Sequence, residues 1–162
     1  MTSRKDFAGH PAGHTGPIYG IDFNLDGSIL ASVGARDRTL RLWETASGTP
    51  LRRLVGNTSE VRWVVFSPDG NLLASAGGDK TVRLWDPSKW IAVRTLTGHT
   101  ELIYSVTFSP DGDLLASAGS DNKVRLGLNG PSAKMPSQPS RARHAMDGVE
   151  THEDLAELRA AS

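Results

Sequence analysis

Apolar residues fall along this chain in short blocks separated by turn residues. Ile18–Phe23, Val61–Phe66 and Ile103–Phe108 are runs rich in β-branched and aromatic side chains, and each is followed by Asp-Gly, at Asp26-Gly27, Asp69-Gly70 and Asp111-Gly112. Runs of that length and composition suit strands. Asp-Gly between two apolar runs signals a hairpin, because glycine takes positive φ without strain. Pro68 and Pro110 fix φ one residue before the Asp and help to set the turn. Second strands are predicted at Ile29–Val33, Leu72–Ala76 and Leu114–Ala118, and third strands at Thr39–Trp43, Thr81–Trp85 and Lys123–Leu126. The alternation Thr81-Val82-Arg83-Leu84-Trp85 is that of a half-exposed strand. Pro50–Val55 and Trp90–Leu96 supply a fourth strand. Each unit therefore reads as an antiparallel meander of roughly 40 residues.

The blocks are copies of one another. Gly13–Glu44, Gly56–Asp86 and Gly98–Leu126 align in phase, and the first copy carries an extra residue between Ser32 and Asp37. The chain divides into an N-terminal segment (1–12), three repeats (13–55, 56–97 and an incomplete 98–130) and a tail (131–162). Gly13-His14 and Gly98-His99, the FSPDG of 66–70 and 108–112, and the Arg-Leu-Trp-acid ends at 41–44 and 83–86 resemble the WD-repeat β-propellers. The implied fold is all-β: a partial propeller of two full four-stranded blades and most of a third, with a disordered or weakly helical tail.

The resemblance implies that a His before the first strand, a Ser on the second, an Asp in the next turn and a Trp on the third meet in each blade. These are His14, Ser32, Asp37 and Trp43 in the first copy. The second has Asn57 in the His place beside Ser75, Asp79 and Trp85, and the amide is expected to donate to Asp79 in a weaker network. The third has His99, Ser117 and Asp121, with Gly127 where Trp belongs, so its blade is expected to be the weakest. Losing a large buried aromatic costs about 3–5 kcal/mol.

Recurring His, Ser and Asp also suggest a hydrolase. A nucleophile, however, needs one oriented base and one oxyanion hole, not three copies at blade spacing. The Asp-Gly turns lack the dense oxygen spacing of a calcium loop. His10 and His14 have no third metal ligand placed beside them. No catalytic residue, metal or cofactor is expected. Arg41, Arg83 and Arg125 recur with the repeat and are expected on solvated faces. Trp63 and Trp90 stand outside the motif, and core or interblade packing is expected for both.

Positions that differ between copies lie where first strands begin (Pro17 and Tyr19; Glu60 and Arg62; Leu102 and Tyr104) and before each turn Asp (Arg36, Gly78 and Ser120). In the family such a rim is the usual docking surface for peptides and protein loops. Tyr and Arg suit that role because both are enriched among interface hot spots.

Composition narrows the rest. Eighteen Lys and Arg balance eighteen Asp and Glu, which argues against nucleic acid or an anionic membrane as partner. There is no cysteine, hence no disulfide framework or thiolate metal site. No apolar run approaches the roughly 18 residues of a membrane helix, and the start has no signal-like apolar stretch. A cytoplasmic protein is expected.

The repeat pattern stops at Leu126 and gives way to a Pro/Ser-rich basic stretch at 131–144, read as disordered, and a short helix near 152–160. Propellers close with typically 4–8 blades, so an open arc leaves an apolar blade face at each end. The expected function is a non-catalytic protein-interaction scaffold, a fragment of a longer propeller, with a protein or peptide partner. The alternative is a lectin-like, ligand-binding propeller whose ring is completed by homo-oligomerisation.

Overall fold

The computed structural model describes residues 13–128 and 149–151. The first meander is β1 (Ile18–Phe23), β2 (Ile29–Gly34), β3 (Leu40–Glu44) and β4 (Pro50–Leu54), hydrogen-bonded in that order as one antiparallel sheet. The second is β5 (Val61–Phe66), β6 (Leu73–Gly77), β7 (Val82–Asp86) and β8 (Ile91–Leu96). The third comprises β9 (Ile103–Phe108), β10 (Leu114–Gly119) and β11 (Val124–Leu128), with the short β12 (Val149–Thr151) on its far edge. The first strands match the sequence reading. Second strands end one residue beyond it, and third strands end one or two residues beyond it. The third strands and β6 begin one residue later than read. No helix occurs among the described residues.

The Asp-Gly hairpins form as predicted. Gly27, Gly70 and Gly112 have φ of 72°, 73° and 78°. Their amides donate to Asn24, Ser67 and Ser109 three residues back, each at 2.9 Å. That pattern, with Asn or Ser first, Gly fourth and, in the second and third copies, Pro second, is that of a type I turn. The turn carboxylates are already occupied: Asp26 accepts from the Ser28 amide at 2.9 Å and Asp69 from the Asn71 amide at 3.0 Å. Hydrogen bonds from Ser28, Ser67 and Ser109 hold Asp26, Asp69 and Asp111 below the usual carboxylate range. Among the described residues no three His, Cys, Asp or Glu side chains converge on a metal-sized site. None of the described helices or segments is a helix long and apolar enough to cross a membrane.

Successive sheets stack face to face with their first strands adjacent. Ala31, Val33, Leu40, Leu42 and Leu54 of the first sheet pack on Val61, Val64, Phe66, Leu73 and Trp85 of the second. Ala74, Ala76, Val82, Leu84 and Leu96 of the second repeat that layer against Ile103, Val106, Phe108 and Leu115 of the third. Each fully buried Val, Leu or Phe contributes roughly 1.5–3 kcal/mol. The core is thus two layers between three sheets, and the sheets are blades of an incomplete propeller. Polar links reinforce the stacking. Asp22 accepts from the Phe66 amide at 2.8 Å, Arg38 donates to the Thr58 carbonyl at 3.2 Å, and Lys80 donates to the Thr100 carbonyl at 2.6 Å.

Two expectations fail here. Val149–Thr151 of the tail, read as disordered, pairs with β11 in parallel, Val124 opposite Val149 and Leu126 opposite Thr151. Among the described residues no meander strand follows β11, and a strand edge with unpaired backbone groups accepts another strand. The other failure concerns Trp63, which is exposed on β5 rather than packed, whereas Trp90 does pack on the layer between the first two blades. The predicted helix near 152–160, the stretch 131–144, the N-terminal segment and His10 lie outside the described residues.

The second-strand glycines allow the turns above them to close. A Cβ on Gly77 would stand 2.1 Å from the Glu60 carbonyl oxygen, a backbone atom that cannot swing away. We expect Gly77→Ala to lose about 1–3 kcal/mol as an overpacked site, measured by urea denaturation.

Candidate interaction surface and the network behind it

The motif residues form a relay from β3 to the blade's upper turn. In the first blade the Trp43 indole donates to Ser32 Oγ at 2.8 Å, Ser32 lies 2.8 Å from His14 Nε2, and His14 Nδ1 lies 2.9 Å from Asp37 Oδ2. The indole can only donate, so Ser32 Oγ accepts that bond and donates its own hydroxyl hydrogen bond to Nε2. His14 then carries its proton on Nδ1 and donates it to Asp37. The imidazole is 1 % exposed, which confines this chemistry to holding the blade together. Burial pushes the Asp37 carboxyl up, but the electrostatic attraction and hydrogen bond of His14, with hydrogen bonds from Thr39, outweigh it and leave the group below its ordinary range.

The other two blades each lack one part. In the second, Trp85 donates to Ser75 at 2.9 Å, but the expected Asn57–Asp79 bond does not form. The Asn57 amide nitrogen is buried without a hydrogen-bond partner, and Asp79 accepts instead from the Thr58 amide at 3.1 Å and Thr81 Oγ1 at 2.8 Å. An amide side chain is shorter than an imidazole and cannot bridge Ser75 and Asp79. In the third blade His99 joins Asp121 at 2.8 Å and Ser117 at 2.9 Å, while Gly127 leaves Ser117 without its indole donor. Burial likewise raises the Asp121 carboxyl, and bonds from the Thr100 amide, His99 and the Lys123 amide overcome it.

The recurring arginines are not on solvated faces. Arg41 Nη2 lies 3.5 Å from Asp37 and Arg83 Nη2 3.6 Å from Asp79, with both side chains only 17 % exposed, and Arg125 is buried. A carboxylate already fixed by the relay attracts the guanidinium inward, with the aliphatic stem lying along the sheet.

The rim residues owe their positions to a backbone device absent from the sequence reading. Register slips between Ile18 and Gly20, between Val61 and Trp63, and between Ile103 and Ser105. Tyr19, Arg62 and Tyr104 are the extra residues of these three bulges. A bulge re-aims its unpaired residue, and here it does so at the same height on three neighbouring first strands. The Arg62 guanidinium carbon sits 4.8 Å from the centre of the Tyr19 ring, within cation–π range. Glu60 Oε1 accepts from Arg62 Nη2 at 2.7 Å and from Nε at 2.9 Å. That hydrogen bond raises the Arg62 pKa, and the Tyr19 and Tyr104 phenols act on the same cation. Both tyrosines and Trp63 are exposed.

Leu102 and Ser120 belong to the framework of the rim. The Ser120 amide donates to the Leu102 carbonyl at 2.8 Å, as Gly78 does to Glu60 at 2.8 Å and Ala35 to Pro17 at 3.0 Å. Ala35, not Arg36, is therefore the counterpart of Gly78 and Ser120. Arg36 is the extra residue of the first copy, and its stem lies over Gly16, where a Cβ would meet Arg36 Cγ at 2.7 Å.

Known proteins share this pattern. The family model described as WD domain, G-beta repeat, matches residues 4–44, 48–86 and 90–126. The chain belongs to the WD-repeat family. It is 44 % identical over 59 residues to an uncharacterized WD repeat-containing protein of Synechocystis sp., covering 36 % of this chain and 17 % of that protein. It is 46 % identical over 61 residues to eukaryotic translation initiation factor 3 subunit I of Phaeosphaeria nodorum, covering 38 % and 18 %. Ribosome assembly protein 4 of Chaetomium thermophilum is 43 % identical over 61 residues, covering 38 % and 12 %. The matched segment thus spans less than a fifth of each of these WD-repeat relatives.

Two outcomes follow from the network. Asn57→His completes the second relay and removes a buried unsatisfied amide, so urea denaturation should show a gain of about 1 kcal/mol. Asp37 and Asp121 have depressed folded values, so their stabilisation is present above the ordinary carboxylate range near 4 and is lost as pH falls through the lower folded values. Thermal melts between pH 7 and 2.5 should show a steep loss below about pH 4. Asp121→Asn should melt lower than the parent at pH 7, with the difference shrinking toward the acid end.

Proposed function

We propose that the chain is a non-catalytic interaction scaffold, an arc of a longer WD propeller acting in the cytoplasm, that presents its upper rim to an extended segment of a partner protein. The observation that carries this reading is the row of Tyr19, Arg62 and Tyr104 on three aligned bulges. Two exposed aromatic rings flank a guanidinium that Glu60 has already oriented, so the platform meets a partner with few side-chain rotamers left to freeze. The same Glu60 offsets the Arg62 charge, which favours a partner segment of mixed polar and aromatic character over a polyanion. The His, Ser and Asp of the first and third blades are committed to the relay and the second blade has Asn57 in the His place, so among the described residues no nucleophile–base pair stands open at this rim. The extent of the ring is read from the relatives, of which the matched segment spans less than a fifth.

Peptide display against the immobilised chain tests this. Selected peptides should lose about 1–3 kcal/mol of binding on Tyr104→Ala or Arg62→Ala and keep their affinity on Leu25→Ala, at the opposite end of the first blade. Equal losses for all three variants, or no enrichment over a display control, would overturn the reading.

A further inference from the structure

Residues that depart from the repeat mark places that blade packing does not explain, and Trp90 is one of them. It has φ of 59°, and its amide donates to the Asp86 carbonyl at 2.6 Å in the β7–β8 turn. The same turn of the first blade ends on Gly48, with φ of 71° and a bond to the Glu44 carbonyl at 2.8 Å. Glycine takes this left-handed conformation freely, whereas a bulky side chain in it is an outlier. Such outliers persist where the surroundings hold them, and they cluster at binding sites.

Trp90 packs partly into the layer between the first two blades, and it also lines a cleft of about 550 Å³. That volume suits a small ligand or a side chain of a bound peptide. The walls come from the β1–β2 turn of the first blade and from the β5–β6 and β7–β8 turns of the second, at the end away from the rim. Leu25, Ile29 and Phe66 supply apolar surface beside the indole. Asn24 and Leu25 also depart from the repeat, standing where the second and third copies have Ser-Pro. Both blades are described in full, and a further blade would stack on a different face. The cleft therefore depends on neither end of the chain.

Its polar groups select the charge of a ligand. Asp26 and Asp86 line the cleft, and none of its lining residues is a cation. The side-chain donors on the walls turn into their own loops. Asn24 donates to Ser28 Oγ at 3.2 Å, Asn71 to Asp69 at 2.8 Å and Ser88 to Asp86 Oδ1 at 2.6 Å. Acceptors remain. The Ser28 amide and hydroxyl both bond to Asp26 Oδ1, which leaves Oδ2 for a ligand. Asp86 Oδ2 pairs with Lys89 Nζ at 3.1 Å, but that lysine side chain is 70 % exposed, and a surface pair of this kind exchanges readily. Hydrogen bonds from Ser28 and Ser88 hold both carboxyls below their ordinary range, so both are charged.

A ligand matched to these walls brings donors, positive charge and an apolar stem. A planar guanidinium meets all three needs, because it stacks on an indole face and donates from its edge to carboxylates. We propose that the cleft binds an arginine side chain of a partner peptide, the guanidinium over Trp90 and between Asp26 and Asp86, the stem along Leu25 and Ile29.

Titration of N-acetylarginine methylamide into the isotope-labelled full-length chain, followed by NMR, tests this. A dissociation constant of roughly 1–10 mM is expected for one side chain. Shifts should gather at the Trp90 indole and the Asn24 and Ser88 amides, and the Trp63 indole should stay in place. The blocked citrulline analogue has the same shape without the charge and should give no saturable shift, and blocked lysine should bind several-fold more weakly. Asp26→Asn keeps an oxygen for the Ser28 bonds and should weaken arginine binding roughly three- to tenfold. Trp90→Gly should remove the shift at Asn24. Citrulline or lysine binding as tightly as arginine, unchanged affinity in Asp26→Asn, shifts confined to the rim, or no saturable shift would each overturn the proposal. None of these outcomes bears on the rim, whose peptides are read on Tyr104→Ala and Arg62→Ala.

Discussion

A four-stranded sheet of this composition has two apolar faces, and everything else in the molecule follows from the need to cover both. The second blade shows the requirement met. Val64 and Phe66 turn one way into the layer with the first blade, while Ala74, Val82 and Leu84 turn the other way into the layer with the third. Because the residues alternate along each strand, one register error would exchange the two sets. The type I turns at Gly27, Gly70 and Gly112 hold that register. Stability is therefore a property of neighbouring pairs of blades rather than of any blade alone, as in other repeat architectures.

Against that background the His–Ser–Asp relay acts as a pin between strand and turn. It is complete once, lacks its imidazole in the second blade and lacks its indole in the third. Among the described residues the middle blade alone is packed on both faces, which offsets its loss, and Trp85 still fills its site. The third blade keeps His99 and Asp121 and, among the described residues, has a neighbour on one face. Structural redundancy lets two of the three copies each lose a different part.

Much of this was legible in the sequence because it is written locally. Period-two alternation, Asp-Gly pairs and the phase of three copies place the strands to within a residue or two. What could not be read depends on geometry between strands. Arg41 and Arg83 alternate like solvent-facing residues, yet a buried carboxylate draws them in. Asn57 looks able to donate, but its reach decides otherwise. Trp63 looks like core by its type, yet on β5, the first and edge strand of its sheet, it is exposed. The pairing of Val149–Thr151 with β11 arises from an edge left open far away in sequence. The bulges at Tyr19, Arg62 and Tyr104 carry no residue signature at all, although the variation between copies at those positions did point to the rim.

Those bulges have an evolutionary consequence. A bulged residue lies outside the alternation that fixes a blade's core, so its identity is not tied to either packed face. Tyr can become Arg from one copy to the next, as it does between Tyr19 and Arg62, while the strand around it keeps its Val, Ile and Phe. The exposed surface can thus change its chemistry by drift at three separate positions, without passing through a poorly folded intermediate.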